Sequence, residues 1–85
     1  MNYIFSQHAL EQMEARGISK EVVENILSKP DQINELEDLT VFQGIDKVGK
    51  TAYLIRVFMN KRKSPNVIVT LYKTSKIHKY YEGKI

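Results

Sequence analysis

Hydrophobic and polar positions along the chain change their period once, near residue 30. In the first part, apolar residues recur three and four positions apart, which is the spacing of one face of an α-helix. Leu10 and Met13 are predicted to form the buried stripe of a first helix, and the apolar residues of 22–27 that of a second. The pattern therefore predicts two consecutive N-terminal helices arranged as an αα-hairpin.

Serine, glycine and proline residues mark the ends of both helices. Ser6 and Ser19 stand where a hydroxyl can accept a hydrogen bond from the first turn of a helix. Gly17 can adopt the left-handed conformation that ends the first helix, and Pro30 cannot continue the second. We therefore expect the first helix to run through QHALEQMEAR and the second to end before Pro30.

The remainder of the chain alternates in steps of two, the period of a β-strand. Thr51–Asn60 is the best-defined predicted strand, and Val67–Tyr72 follows it after a polar loop that contains Pro65. Gln32–Leu36 and Thr40–Ile45 are predicted as two further short strands. The C-terminal tail is interpreted as either a last short strand or a flexible end.

These elements predict an α+β fold in which two N-terminal helices pack on a roughly four-stranded antiparallel sheet. A chain of 85 residues can bury one core and is too short for two, so we expect a single domain over residues 1–85. The chain has no cysteine, which excludes disulfides, thiolate chemistry and cysteine-ligated zinc, and we expect neither a metal nor a cofactor.

The N-terminal residues lack the basic start and long apolar run of a signal peptide. No apolar stretch approaches the roughly 20 residues that span a bilayer. We therefore expect a cytoplasmic protein with no membrane association.

Charge is distributed unevenly along the chain. Residues 1–42 contain three basic and eight acidic side chains, a net charge of −5, whereas residues 43–85 contain ten basic and two acidic ones, a net charge of +8. A basic half of this kind favours a polyanionic partner, RNA above all. The alternative is association of two chains through their oppositely charged halves, which would form a homodimer.

The two best-defined strands predict a group of polar residues on one face of the sheet. Residues two apart on a strand point to the same side, so the side facing the helices is predicted to carry Tyr53, Ile55, Val57, Met59, Val67, Val69 and Leu71. Arg56, Thr70 and Tyr72 then share the opposite face if paired residue numbers sum to an even number, and an odd register separates them. These three residues could form a phosphodiester site. Arg56 would bind phosphate in a bidentate manner, Tyr72 would donate a proton or stack on a base, and Thr70 would form a hydrogen bond. An ordinary exposed sheet face is the alternative, because Thr and Tyr are common strand formers.

Two histidines and one arginine are further candidates. His8 lies in the first turn of the first helix, where a neutral imidazole could act as a general base near pH 7, or could simply pack locally. His78 stands among lysines and tyrosines of the tail, where nucleic-acid contact, proton transfer and plain exposure are all open. Arg16 ends the first helix, where the helix dipole alone favours a cation.

Basic residues interleaved with tyrosine are typical of proteins that bind single-stranded nucleic acid. A run of charge can also be solvated surface without a partner. The candidate RNA-binding residues are Lys61, Arg62, Lys63, Lys73, Ser75, Lys76, His78, Lys79 and Tyr80.

Several short segments together resemble a known family. They are FSQHA at 5–9, RGIS at 16–19, Pro30-Asp31, Arg56-Val57, and VTLY at 69–72 followed by Lys73 and Ser75. Over nearly the whole chain these segments are similar to the domain-of-unknown-function family numbered 4258. The family itself resembles a branch of the barnase, EndoU, colicin and RelE-like ribonuclease fold.

The resemblance implies a ribonuclease toxin of a toxin–antitoxin or related system, which would cleave RNA without a metal through attack of the 2′-hydroxyl. It implies a site made of His8, Arg16, Arg56, Thr70 and Tyr72, with His8 as base, Arg56 as phosphate clamp, and Tyr72 or His78 as acid. That mechanism requires His8 and Arg56 to converge on one exposed concavity. The implied partners are RNA, free or on the ribosome, and an antitoxin protein. The alternative is a non-catalytic RNA-binding or protein-interaction domain on the same scaffold.

Overall fold

The computed structural model describes residues 2–83, so Lys84 and Ile85 of the predicted tail lie outside the described residues. Three helices and five strands follow one another in the order β1 (Tyr3–Phe5), α1 (Gln7–Arg16), α2 (Lys20–Ser28), β2 (Gln32–Glu35), β3 (Thr40–Val48), β4 (Thr51–Asn60), β5 (Asn66–Thr74) and α3 (Ile77–Tyr80). The α+β class predicted from the sequence is confirmed.

Both N-terminal helices begin and end at the predicted residues. The Ser6 hydroxyl accepts a hydrogen bond from the Ala9 amide at 3.0 Å, and Ser19 caps α2 in the same way. Gly17 ends α1 with φ of 65°, a left-handed conformation that glycine adopts without steric cost. Ser6 also donates a hydrogen bond to the Val69 carbonyl oxygen at 2.9 Å, which ties the start of α1 to β5.

The sheet has five strands in the order β1-β5-β4-β3-β2. Strands β2, β3, β4 and β5 pair antiparallel with their neighbours, whereas β1 pairs parallel with β5. The prediction of four antiparallel strands is therefore wrong by one strand. The missing strand, Tyr3–Phe5, is too short to show a period of two, so its three residues give no strand signal in the sequence.

One face of the sheet carries α1 and α2 over the main core. The buried side chains of this core come from α1, α2, the turn between them, β3, β4 and β5: Ala9, Met13, Ile18, Val23, Ile26, Leu27, Phe42, Ile55, Val57, Met59, Ile68 and Leu71. The predicted stripe of α1 is half wrong, since Met13 is buried but Leu10 is 44% exposed. Ala9 is buried instead and brings the helix close to the sheet.

A β-bulge changes which residues of β5 reach the core. Phe58 pairs with Thr70 but Met59 pairs with Ile68, which leaves Val69 as an extra residue. The phase of alternation therefore shifts within β5, and Ile68 lies in the core where Val67 and Val69 were predicted. Leu71, on the other side of the bulge, faces the helices as predicted.

The opposite face of the sheet is covered in part by α3. Val41, Leu54 and Ile77 are buried but are not members of the main core cluster. Val41 and Leu54 alternate with core residues of their strands, which places them on this second face with Ile77 of α3. The C-terminal tail, predicted as a strand or a flexible end, thus begins with a short docked helix. Within residues 2–83 no helix has the length and apolar character needed to cross a membrane.

Candidate nucleic-acid interface

A row of four side chains crosses the sheet on the face that bears α3. Gln32 pairs with Gln43, Gln43 with Arg56, and Arg56 with Tyr72, so these residues lie side by side on β2, β3, β4 and β5. Around Arg56, the residue numbers of each β4–β5 pair sum to an even number. This is the register in which Arg56 and Tyr72 share one face. Thr70 pairs with Phe58 at the next position on the same face. The structure therefore brings Arg56, Thr70 and Tyr72 to one face.

The Arg56 guanidinium is held by two hydrogen bonds and surrounded by rings. Its Nε donates to Gln43 Oε1 at 2.9 Å, and its Nη1 donates to Tyr72 Oη at 2.8 Å. Its Cζ lies 4.6 Å from the ring centre of Tyr80, 5.3 Å from that of Phe58 and 5.9 Å from that of Tyr72. Cation–π attraction and the two hydrogen bonds together fix the orientation of this side chain.

Gln43 links the arginine to its surroundings. Its side chain is fully buried, with 0% exposure. Besides accepting from Arg56, its Oε1 accepts from Asn34 Nδ2 at 3.4 Å, and its Nε2 donates to Gln32 Oε1 at 2.8 Å and to the Tyr80 carbonyl oxygen at 3.1 Å. A buried amide therefore connects β2, β3, β4 and the C-terminal segment in one network.

The C-terminal segment, residues 77–82, docks onto this row through backbone as well as side chains. The Glu82 amide donates to Gln32 Oε1 at 3.1 Å, and Gln32 Nε2 donates back to the Glu82 carbonyl oxygen. Ile77, the first residue of the segment, is buried, and the Tyr80 ring lies over Arg56. Tyr80 is thus held at the site by contacts on both sides of it in the chain.

The phenol of Tyr80 is electrostatically unusual. Its pKa is lowered from 10.0, first by hydrogen bonding with the Tyr72 hydroxyl and then by the positive charges of Lys79 and Arg56, although desolvation opposes the shift. The Tyr72 hydroxyl already accepts from Arg56, so its own hydrogen is free to stabilise a neighbouring phenolate. The arrangement can therefore bind an anion at the guanidinium and exchange a proton at the phenol.

His8 and Arg16 lie on the other side of the sheet from Arg56. Both side chains are exposed on α1, which packs against the face that carries Ile55 and Val57. Arg56 lies between Ile55 and Val57 on β4 and therefore points the opposite way. The expected convergence of His8 with Arg56 is wrong, because the sheet separates them. Arg16 Nε donates to Gln12 Oε1 at 3.0 Å, a contact within its own helix.

The predicted RNA-binding residues divide into two groups at the two ends of β5. Lys61, Arg62 and Lys63 are exposed in the loop before β5, where Arg62 forms an ion pair of 2.9 Å with Asp38. An open depression of about 590 Å³ lies between this loop and residues 2–4. The remaining members lie at or after the end of β5: Lys73, Ser75, Lys76, His78, Lys79 and Tyr80.

These C-terminal members do not all face the same way. Lys73 pairs with Ile55, which puts it on the helix-bearing face, and its Nζ lies 4.9 Å from the ring centre of Tyr53. Ser75, Lys76, His78 and Lys79 are exposed on or just before α3. Of this group, Tyr80 alone directly joins the row around Arg56.

Sequence reasoning missed Gln43 and its partner Gln32. A detectable signal was present, because Gln43 stands between Val41 and Ile45, two apolar residues on the same face of a predicted strand. A polar residue inside such an apolar set indicates a buried hydrogen-bonding role. Within residues 2–83 no group of three or more His, Asp or Glu side chains is arranged to hold a metal ion.

Comparison with known proteins identifies a family to which the chain is similar. A family model described as "Domain of unknown function (DUF4258)" matches residues 5–73, which include α1 and α2, strands β2 to β4 with Arg56, and β5 as far as Lys73. A search of curated proteins and a search of solved structures returned no match.

Proposed function

This chain belongs to the DUF4258 family, and from that premise we propose that it is an RNA-binding domain of the ribonuclease toxin type, whose binding face is the sheet surface around Arg56. The observation that carries the proposal is a guanidinium fixed among three aromatic rings with three of its five N–H groups free of hydrogen bonds to the described residues. Free guanidinium N–H groups bind phosphate oxygens as a fork.

The surroundings of Arg56 suit a single-stranded nucleic acid. Phe58, Tyr72 and Tyr80 supply ring faces on which bases can stack, each stacked base contributing about 1–3 kcal/mol. Basic groups stand at both ends of β5, which at nine residues spans about 25 Å. An RNA chain laid along this face would reach the basic loop of residues 61–63 at one end of β5, and Lys76 and Lys79 at the other.

The biological setting that we propose is the cytoplasm, with RNA as the ligand, free or on the ribosome. In a toxin–antitoxin system the basic face would be covered by the antitoxin, because a protein that competes with RNA must present negative charge to the same groups. Self-association remains the competing proposal, and it would bring the acidic residues of one chain to the basic half of another.

The test is binding of a short fluorescent single-stranded RNA to two arginine variants. Arg56→Ala is expected to raise Kd about 10- to 100-fold, the equivalent of about 1.5–3 kcal/mol for hydrogen bonds to a charged group. Arg16→Ala removes the same chemical group from the helix-bearing side and should leave Kd unchanged. Arg56→Lys keeps the charge but loses the fork, and is expected to bind weakly.

Equal effects of the Arg56 and Arg16 substitutions would contradict the proposed face. Absence of RNA binding by the unmodified protein at low salt would contradict the proposed function altogether, since phosphate contacts are strongest there.

RNA cleavage is a second candidate, favoured by the lowered pKa of Tyr80 beside Arg56. In this version the Tyr80 phenolate, rather than His8, accepts the 2′-hydroxyl proton, O2′ attacks phosphorus, and the P–O5′ bond breaks as the Tyr72 hydroxyl protonates the leaving oxygen. The proton then returns from Tyr80 to Tyr72 through the hydrogen bond between them. The products are a 2′,3′-cyclic phosphate and a 5′-hydroxyl. Arg56 would stabilise the negative charge that builds up on the phosphorane.

Incubation of RNA with protein in EDTA tests cleavage separately from binding. Tyr80→Phe is expected to abolish the cyclic-phosphate product with a small change in Kd, while His8→Ala retains it. Intact RNA at a protein concentration that saturates binding would exclude cleavage and leave RNA binding as the function.

A further inference from the structure

Gln43 uses its entire hydrogen-bonding capacity. A side-chain amide has two acceptor lone pairs and two donor hydrogens. The oxygen accepts from Arg56 and Asn34, and the nitrogen donates to Gln32 and to the Tyr80 carbonyl oxygen. Every position is occupied at a residue with no solvent exposure.

Burial alone would favour an apolar residue here. Val41 and Ile45, two positions before and after Gln43 on the same face, are apolar, and Val41 is fully buried. An amide must be fully hydrogen-bonded to offset the cost of its burial, whereas an apolar side chain has no such cost. An amide instead fixes the orientation of the groups bonded to it, because a buried network with all its hydrogen bonds formed holds its members in one arrangement.

We propose that Gln43 is a positioning residue for RNA binding, which holds the Arg56 guanidinium and the docked C-terminal segment in one arrangement. Its oxygen holds Arg56 Nε and its nitrogen holds the Tyr80 carbonyl oxygen, so the orientation of Arg56 and the docking of residues 77–82 depend on the same side chain. The free N–H groups of Arg56 are thereby directed towards a phosphate of the RNA backbone. This inference rests on the proposed function.

A double-mutant cycle tests whether Gln43 acts through Arg56. Gln43→Met keeps the length of the side chain and removes the hydrogen bonds, and is expected to raise Kd for single-stranded RNA about tenfold. In the Arg56→Ala background the same substitution should have a clearly smaller effect on Kd, because one of the two groups that Gln43 positions is gone. Fully additive effects of the two substitutions would overturn the proposal.

Val41→Ala is the matched control for loss of stability. It removes buried volume from the same face of β3 and leaves the amide in place. Its Kd, corrected for the folded fraction, should equal that of the unmodified protein. If Val41→Ala weakens RNA binding as much as Gln43→Met does, Gln43 has a structural role only and the proposal is wrong.

An NMR measurement without RNA separates this inference from the proposed function. The Arg56 Nε–H proton should exchange slowly with water in the unmodified protein, because it is hydrogen-bonded to a buried oxygen, and rapidly in Gln43→Met. An unchanged Nε–H signal in Gln43→Met would overturn the positioning role even if RNA binds. A protected Nε–H in a protein that fails to bind RNA would overturn the proposed function, and with it the role in RNA binding.

Discussion

Tyr80 places an ionisable phenol beside a fixed cation at the surface of the sheet. The pKa of the phenol is lowered from 10.0 mainly through the Tyr72 hydroxyl, with Lys79 and Arg56 contributing. A lowered pKa means that the folded protein favours the phenolate more than the unfolded chain does. The stabilisation from this group is therefore present above pH 10 and is lost as the pH falls through the lowered pKa.

An ultraviolet titration of phenolate absorbance can detect this group among the five tyrosines of the chain. One tyrosine is expected to ionise before the others, and Tyr80→Phe should remove that early step. Tyr72→Phe should return the step towards pH 10, because the hydrogen bond that stabilises the phenolate is lost. An early step that survives in Tyr80→Phe would assign the lowered pKa to another tyrosine.

Individual site residues were predictable where they depended on strand alternation alone. Arg56 and Tyr72 were placed on one face because both belong to well-defined strands whose pairing has the required register. His8 was misplaced because the family resemblance grouped it with Arg56, although strand alternation puts Arg56 on the face away from the helices. Gln43 was missed because its role depends on the register between three strands.

The short helix α3 depends on its contacts with the sheet for its stability. Four residues are far fewer than the roughly 12–15 that an isolated helix needs in water. Ile77 supplies the buried side chain, and the Tyr80 carbonyl and ring supply the contacts to Gln43 and Arg56. Docking of this element and formation of the site are therefore one event.

Ile77→Ala is expected to undock α3 and to lower the free energy of unfolding by about 2–4 kcal/mol, the usual effect of truncating a buried isoleucine. His78→Ala, at an exposed position of the same helix, should change it by less than about 0.5 kcal/mol. Urea unfolding gives both values. Hydrogen exchange of the Tyr81 amide, which donates to the Ile77 carbonyl oxygen at 2.9 Å, reports docking directly. Unchanged protection of that amide in Ile77→Ala would contradict the dependence on Ile77.

Elements that have capping residues or a clear hydrophobic period were predictable from the sequence, and elements that have neither were not. The capping serines and Gly17 gave the bounds of α1 and α2, and β4 was predicted at Thr51–Asn60 as observed. Strand β1 and helix α3 are three and four residues long and owe their conformation to tertiary contacts. No local pattern could predict either of them.

Over the whole molecule, charge differs between the N-terminal and C-terminal halves of the chain. The three cations of the first half are exposed on or beside the two helices, where acidic side chains outnumber them: Arg16, Lys20 and Lys29. The loop of residues 61–63 carries three exposed cations at one end of β5. The two groups have equal formal charge and different surroundings, so their replacement can be compared as a test of where RNA binds.

Replacement of Lys61, Arg62 and Lys63 by glutamine is expected to weaken RNA binding and to reduce the slope of log K against log salt by about 2, at roughly 0.7 per phosphate contact. The same replacement of Arg16, Lys20 and Lys29 should leave the slope unchanged. Fluorescence anisotropy over a salt series measures both. Equal slopes for the two triple variants would mean that RNA is attracted by net charge rather than by the face proposed here.

The α+β class followed from the change of period near residue 30, and the placing of α1 and α2 on one side of the sheet followed from the alternation within the strands. The separation of His8 from Arg56 follows from the predicted strand faces as well, because Arg56 was placed on the face away from the helices, and the expected convergence came from the family resemblance alone. The division of the basic residues between two ends of β5 also follows from the sequence, because the predicted strand separates the loop of residues 61–63 from the basic tail.

Because of the bulge at Val69, some positions of β5 should tolerate the loss of a residue better than others. Pairing is regular on both sides of that residue, so its deletion would leave Ile68 against Met59 and Thr70 against Phe58. The deletion would remove the Val69 carbonyl oxygen, and with it the hydrogen bond that the Ser6 hydroxyl donates to β5. Loss or gain of one residue between Thr70 and Tyr72 would instead move Tyr72 away from Arg56. Deletion of one residue should therefore be tolerated at Val69, whereas loss or gain of one residue between Thr70 and Tyr72 should not.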